Sequence, residues 1–485
     1  MSLPQAININ SPELDYSAKI NNHSTIIYRS ITPQGSSSIT LGTTAGVVGP
    51  VEFIMPPSVF NPSKCRLNFQ INLGAVKTGG TALDVLGIFR WVNGNLGSIL
   101  NRVVLYDSAS SAIICDVSNF DKWTNMIAPS SENLERYLEK SGGGFLGGAA
   151  GTTSFNLPVA TEATANQVPI ENICRNNVIV SGNYSGIVAQ VVAGGDYTGR
   201  KLWYQSATTT DDAGTVFMNV SLLFDDIFKF TALSLDKNIY NPANMVLQVY
   251  FNPNDSFQFA TPVVNTTNAS VSVGTGAIVS RLQVQLANEA NLNLVAQTID
   301  LVMKSGVTLP VAYPTVTRQT FSATTAPSYQ LQLTQGYGKR ILFLATSPFN
   351  ITASAGLNYQ QFHHAPRASL LNYQTTLNSV PIKTPAGFDC TKGDDWTIGN
   401  SSYLKKSPTQ SLNYYINADW IHIDSFFGEK SLSDVDQTQV DGIDVSTQSQ
   451  TFGFQATTAS TAQTWITAIV GQKMLSLTSQ GAIMS

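Results

Sequence analysis

Residues 225–253 read "DDIFKFTALSLDKNIYNPANMVLQVYFNP" and lie at the midpoint of a 485-residue chain. The second half alternates as a strand does, with Leu247, Val249 and Phe251 on one face and Val246, Gln248 and Tyr250 on the other. Two Asn-Pro turns, Asn241-Pro242 and Asn252-Pro253, bracket that strand. The aromatic, acid-edged segment before it, Asp225 to Phe230, fits neither a clean helix nor a clean strand. A strand so heavily punctuated at mid-chain is expected to close one β-barrel just before a second begins.

The rest of the chain carries the same signature. Leu67, Phe69, Ile71 and Leu73 alternate with Arg66, Asn68, Gln70 and Asn72, and Leu282, Val284 and Leu286 alternate with Arg281, Gln283 and Gln285. Gln330 to Leu333 and Trp420 to Ile423 repeat the pattern. A period of two with one apolar face marks half-buried antiparallel strands, and Gly, Pro, Asn and Asp clusters punctuate them. The expected class is all-β, of sandwich or barrel type. At this length two or more cores are expected. The similar strands "RLNFQI" at Arg66 and "RLQVQL" at Arg281 hint that each opens one of two similar halves.

Helical signals are few. The best is 131–140, with Ser130 or Ser131 as cap and Leu134, Tyr137 and Leu138 as an apolar stripe. Residues 82–89 read equally as a short helix or a strand. The Gly-rich run 141–151 lacks the Lys-Ser/Thr of a phosphate cradle and reads as a flexible loop. Segments between about 150 and 215 read as loop insertions.

Charge is scarce. The chain has 27 basic and 31 acidic residues, a net charge of −4, and 12% charged residues, about half the roughly 25% of soluble domains. Its polar surface is built from Ser, Thr, Asn and Gln, which suits extensive burial against neighbours or the quiet surface of a secreted β-protein. No signal peptide is expected from "MSLPQAININSPELDY", and no apolar run is long enough to span a membrane. Cys65, Cys115, Cys174 and Cys390 stand far apart, which predicts free core thiols and neither disulfides nor a zinc site.

Candidate chemistry is sparse as well. The histidines are His23, His363, His364 and His422. In a strand His422 and Asp424 point the same way, with Ile421 and Ile423 opposite; such a pair can orient a base or hold a metal, but no third ligand or nucleophile lies nearby. Asp394 and Asp395 read as a turn, although paired carboxylates are also the apparatus of a glycosidase. Phosphate-binding, serine-hydrolase and zinc-protease motifs are absent from the sequence. Accordingly the chain is read as no enzyme, with no catalytic, cofactor-binding or metal-ligating residue assigned. The first 40 residues carry only Lys19 and Arg29 as basic residues, so no arm for neutralising nucleic-acid phosphate is expected.

Two stretches carry a resemblance: 94–140, "GNLGSILNRVVLYDSASSAIICDVSNFDKWTNMIAPSSENLERYLEK", and the quoted 225–253. Their order of two apolar strands, an aromatic "NFDKW" segment and a helix, then a late aromatic segment and returning strand, resembles double jelly-roll major capsid proteins. Those belong to icosahedral DNA viruses such as tailless membrane-containing phages, adenoviruses, virophages and polinton-like viruses. The resemblance implies two consecutive eight-stranded antiparallel jelly rolls with few short helices. It places an N-terminal arm at 1–45, a first jelly roll with loop insertions at 46–260 and a second, with the C-terminal segment, at 261–485. Three chains would close into a pseudo-hexagonal homotrimer within a virion made inside the host cell. Implied partners are neighbouring capsomers, penton or minor capsid proteins and an inner viral membrane, with no sequence-specific nucleic-acid contact. Two other readings stand beside it: a trimeric spike, fibre or adhesin, and a carbohydrate-binding or cleaving jelly roll using Asp394, Asp395, His422 and Asp424.

Overall fold

The computed structural model describes residues 24–41, 47–72, 75–78, 86–91, 96–131, 178–180, 202–205, 213–214, 216–252, 258–262, 270–273, 277–321, 324–349, 370–392, 394, 421–427, 440–458 and 463–485. Strands dominate them. The quoted stretch supplies the strand Met245–Phe251, which lies inside a four-stranded antiparallel sheet between Val48–Met55 and Leu100–Asp107, with Ile113–Ser118 beyond. The last of these strands in the chain thus closes onto the first. Met245, Leu247, Val249 and Phe251 face inward and are buried. Phe251 meets Phe69 of the facing sheet edge-on, ring centroids 6.3 Å apart.

Both Asn-Pro turns are stitched to Leu100–Asp107. Asn241 Nδ2 donates to Asp107 Oδ1 at 2.6 Å, and Asn252 Nδ2 donates to the Leu100 carbonyl at 3.3 Å while its own N–H reaches Ile99 O at 2.8 Å. The turns therefore fix the strand's register as well as its ends. The aromatic segment that fits neither template forms a one-turn helix, Phe224–Ile227, followed by a 3-10 turn, Ala232–Ser234, capped by Thr231. It serves as an anchor: Phe228 packs on Phe224 and Phe120, and Phe230 packs on Phe343 of the second half at 5.0 Å. Phe230 adopts φ +55°, a conformation disfavoured for a bulky residue and held here by burial of its ring.

Facing this sheet is a second one, ordered 178–180, 216–223, 66–72, 277–289, 59–60, 239–240, with 26–31 and 39–41 also paired to 277–289. The second half repeats the scheme. One sheet runs Val307–Phe321, Gln463–Thr478, Arg340–Phe349, His422–Ser425, and the other runs Ser328–Leu333, Gln450–Thr458, Leu370–Leu377, Val380–Pro381. Apart from one hairpin within a sheet in each half, 100–107 to 113–118 and 370–377 to 380–381, successive long strands alternate between the two sheets and the last returns beside the first, which is the winding of a jelly roll.

Several expectations need correction. Sheet membership does not change at residue 260. Ala277–Glu289 pairs with Arg66–Asn72 in the first half's sheet, so a division there would separate it from its partner; membership changes across the helix Leu292–Ser305. For the same reason "RLNFQI" and "RLQVQL" do not open two equivalent halves but are adjacent antiparallel neighbours, Leu67 opposite Val284. The described part of the N-terminal arm is no free arm either. Ile26–Ile31 extends that sheet, and Glu289 ties its start by accepting from Ser24 Oγ at 2.5 Å and Thr25 N at 2.9 Å.

The helix expected at 131–140 begins earlier, at Phe120–Ser131, because Phe120, Trp123, Met126 and Ile127 recur on one face and are all buried. Ser130 and Ser131 end it rather than start it; residues 132–151 lie outside the described ones. Leu86–Trp91 is a strand. Leu292–Ser305 was not expected, although Asn291 caps it by accepting from Asn293 N and Leu294 N, and Gly306 ends it at φ +68°.

One buried apolar cluster runs through both halves, joining Phe120, Trp123, Phe228 and Phe230 to Phe343, Ile423, Ile466 and Leu475. A second fills the far jelly roll around Tyr373, Phe454 and Trp465. The C-terminal hairpin crosses the junction as well. Ser110 Oγ donates to Ala482 O at 2.6 Å, and Gly481, at φ +116°, leaves room for Asp107, whose Oδ2 a Cβ there would meet at 2.6 Å.

Candidate functional site

The strand His422–Ser425 lies antiparallel to Arg340–Phe349, with His422 opposite Thr346 and Asp424 opposite Leu344. As the alternation predicts, Ile421 and Ile423 turn to the core shared by the two halves, while His422 and Asp424 turn inward between the sheets of the second jelly roll. There they meet Leu370–Leu377 of the facing sheet. Tyr373 Oη lies 2.8 Å from His422 Nδ1, His422 Nε2 lies 3.0 Å from Asp424 Oδ1, and Thr375 Oγ1 donates to that same oxygen at 3.2 Å. The polar chain thus pins one sheet to the other.

Its surroundings are aromatic and sealed. Tyr373 stacks on Phe388 at 4.7 Å, and His422 stands edge-on to Tyr373 at 4.9 Å. His422 and Asp424 are each 1% exposed. A group that acts on a substrate must be within reach of it; this pair is walled in by core side chains. Burial pulls the Asp424 carboxyl upward, but His422, Lys383 and Thr375 together hold it below the usual carboxylate range. The arrangement is a buried hydrogen-bonded tie, of the kind that specifies how two sheets pair.

Tyr373, Thr375 and Lys383 belong to this cluster and were not anticipated. Tyr373 and Thr375 carry the only advance signal, being two apart on one strand face. Lys383 Nζ donates to Ile423 O at 2.7 Å. Burial lowers its pKa to about 8 from 10.5, with Asp424 opposing. Between those values the unfolded chain binds a proton that the folded chain has lost, so stability rises with pH from about 8 to about 10.4. Below pH 8 the folded chain carries a poorly solvated cation, costing at most about 3 kcal/mol. Lys383→Met is expected to flatten that rise, checked by comparing melting temperatures of the two proteins from pH 7 to 10.5. A rise as steep in the variant as in the parent would assign it to other groups.

Of the remaining candidates, half-buried Asp394 accepts from Asp389 N at 3.2 Å, a contact within a turn and not with this pair. Asp395, His23, His363, His364 and Cys174 lie outside the described residues. Cys65, Cys115 and Cys390 are buried thiols outside any disulfide, and burial pushes the Cys65 and Cys115 thiols up to about 12. Among the described residues no group of three His, Cys, Asp or Glu could hold a metal ion, and no helix is long and apolar enough to cross a membrane.

No family model and no curated protein sequence matches the chain. Solved structures do. The mavirus major capsid protein superposes over 100% of this chain and 95% of its own, at 10% identity and a TM-score of 0.54. This chain is a double jelly roll. Structures of the PBCV-1 virus capsid (96% of this chain, 97% of that one, 10% identity, TM-score 0.49) and of the Sputnik virophage (96% and 90%, 10%, 0.48) are similar over comparable lengths. In the double jelly roll the His422–Asp424 pair lies between the two sheets of the second roll, where it joins them.

Proposed function

We propose that this chain is a major capsid protein that builds the shell of an icosahedral virion as trimeric, pseudo-hexagonal capsomers. The observation that carries the reading is the end-to-end correspondence of fold with the mavirus major capsid protein, covering both jelly rolls and nearly the whole of each chain. The first roll runs to Glu289 and the second from Val307. Composition supports the same reading: a chain with only 12% charged residues is suited to burial in large permanent contacts. The buried His422–Asp424 tie gives a structural use to one of the two pairs that suggested an enzyme. Neighbouring capsomers and penton or minor capsid proteins are its partners.

Few charges leave apolar packing and amide or hydroxyl hydrogen bonds to hold the trimer. Surface ion pairs are screened within about 3 Å at 1 M salt, whereas apolar burial is not weakened. Light scattering behind size exclusion is expected to give three chains per particle, unchanged from 0.1 to 1 M NaCl. A single-chain mass at both salts would refute the capsomer.

A further inference from the structure

The carboxylate of Glu289 is the meeting point of three separate segments. It is buried at the end of Ala277–Glu289, and four neutral donors point at it. Two belong to the segment that leads into Ile26–Ile31, Ser24 Oγ and Thr25 N; the others are Asn238 Nδ2 at 3.0 Å and Asn291 N at 2.9 Å. Asn291 is also the cap of the boundary helix Leu292–Ser305. Among the described residues no ion pair includes Glu289. Of the charges on the elements around it, Lys64 and Asp236 pair with each other at 3.8 Å, Asp300 pairs with Lys304, and Arg29, Lys237 and Arg281 are exposed.

The strand held there has little burial of its own. Ile26–Ile31 is the outer partner of residues 284–289, and Ile27, Tyr28, Arg29 and Ser30 are all exposed, Ile27 by 56% and Tyr28 by 54%. Ile26 and Ile31 pack against the core in part. From Pro33 onward the chain is fastened more firmly. Pro33 and Leu41 are buried, Gln34 N donates to Glu52 O at 2.8 Å, and Ile39–Leu41 pairs with residues 277–279. The segment Ser24–Ile31 is thus anchored at one end by the core and at the other by a single carboxylate.

We infer that Ser24–Ile31 is a releasable strap and that the Glu289 carboxylate is its latch, opened by acid. The inference concerns the single chain and stands apart from the capsomer reading. An ionised carboxylate only accepts, so a proton placed on it turns one oxygen into a donor that faces donors. At least one of the four bonds is then lost, and those from Ser24 and Thr25 hold the one segment free to leave. Burial pulls the Glu289 carboxyl upward, but the bonds from Ser24, Asn291, Thr25 and Asn238 together hold it below the usual glutamate range. Such a group supports the closed strap above the ordinary value of about 4.3, and the support is lost as pH falls through its own lower value. Release leaves both rolls folded but uncovers the edge of residues 284–289, a row of unpaired backbone groups to which another strand can add.

The test is hydrogen–deuterium exchange on the full chain, read in residues 26–31 against the buried strand Met245–Phe251. Glu289→Gln removes the charge and sets an amide against the donors. At pH 7 its exchange in 26–31 is expected to be at least about tenfold faster than in the parent, the worth of one hydrogen bond to a charged group, with 245–251 unchanged. Taking the parent to about pH 3, with rates corrected for the intrinsic effect of pH, is expected to give the same acceleration, and the variant no further one. An unchanged rate in folded Glu289→Gln, or an equal acid step in variant and parent, overturns the latch. Should Glu289→Gln not fold, Ser24→Ala decides, since it removes one donor from an exposed residue. Exchange about tenfold faster in 26–31 alone then supports the latch, and an unchanged rate, or one raised equally in both segments, overturns it.

Discussion

Removal of the last 15 residues, Gly471–Ser485, is expected to abolish folding of the second jelly roll rather than merely weaken assembly. Those residues supply the partners of Val307 to Tyr313, from Val307 opposite Leu477 to Tyr313 opposite Gly471, and the partners of Arg340 and Ile341. They also supply buried Leu475, Leu477 and Ala482 and the hairpin that reaches Asp107 and Ser110. Losing one buried leucine costs about 2–5 kcal/mol, and a whole domain is stable by only about 5–15 kcal/mol. Two leucines and the inner half of a central strand exceed that margin. The truncated chain should lose its near-UV dichroism and partition into the insoluble fraction. If it stays soluble with the parent's dichroism and melting temperature, the terminal strand is dispensable to the fold.

The second large effect is expected at the junction of the two rolls. Phe343 is fully buried and meets Phe230 at 5.0 Å and Phe427 at 6.1 Å. Phe343→Ala should destabilise the chain by about 3–5 kcal/mol, the range for phenylalanine truncated in a packed core. Phe230→Ala should cost less than its burial alone suggests, because loss of the ring frees the backbone to relax from φ +55°. The double variant should fall short of the sum by about 0.5–1.5 kcal/mol, the usual coupling of an aromatic pair. Urea unfolding followed by tryptophan fluorescence reads all three. Strict additivity would mean that the rings touch without holding the rolls together.

Much of this fold was legible because alternation is a local property. The faces of Leu67 and Phe69, of Leu282 to Leu286, and of His422 against Ile423 follow from a period of two and from nothing else. What alternation does not carry is the identity of the neighbour. "RLNFQI" and "RLQVQL" look alike because both are half-buried strands of one sheet, and likeness of pattern suits partners in a sheet as well as repeats of a fold. The division between rolls was misplaced for that reason. The boundary helix announced itself through Asn291 and Gly306, but its apolar stripe ran straight on from a strand. Phe120 to Ile127 hid a helix behind aromatic residues that also suit strands. The tie around His422 was half visible: two residues on a strand fix a direction, whereas Tyr373, Thr375 and Lys383 reach it only through tertiary packing.

The pairing of distant ends also governs how the protein can be made. Ile26 waits for Glu289, and Val307 waits for Leu477. During synthesis, neither roll has its central partner strand until that roll's last residues leave the ribosome. Until then, sheet edges and apolar faces stand open for the time it takes to add some 200 residues, roughly 10–40 seconds at about 5–20 residues per second. Pairings so remote in sequence are slow to form even once available. Yield from a cell should therefore follow the supply of chaperone and the rate of translation more closely than the stability of the finished barrel.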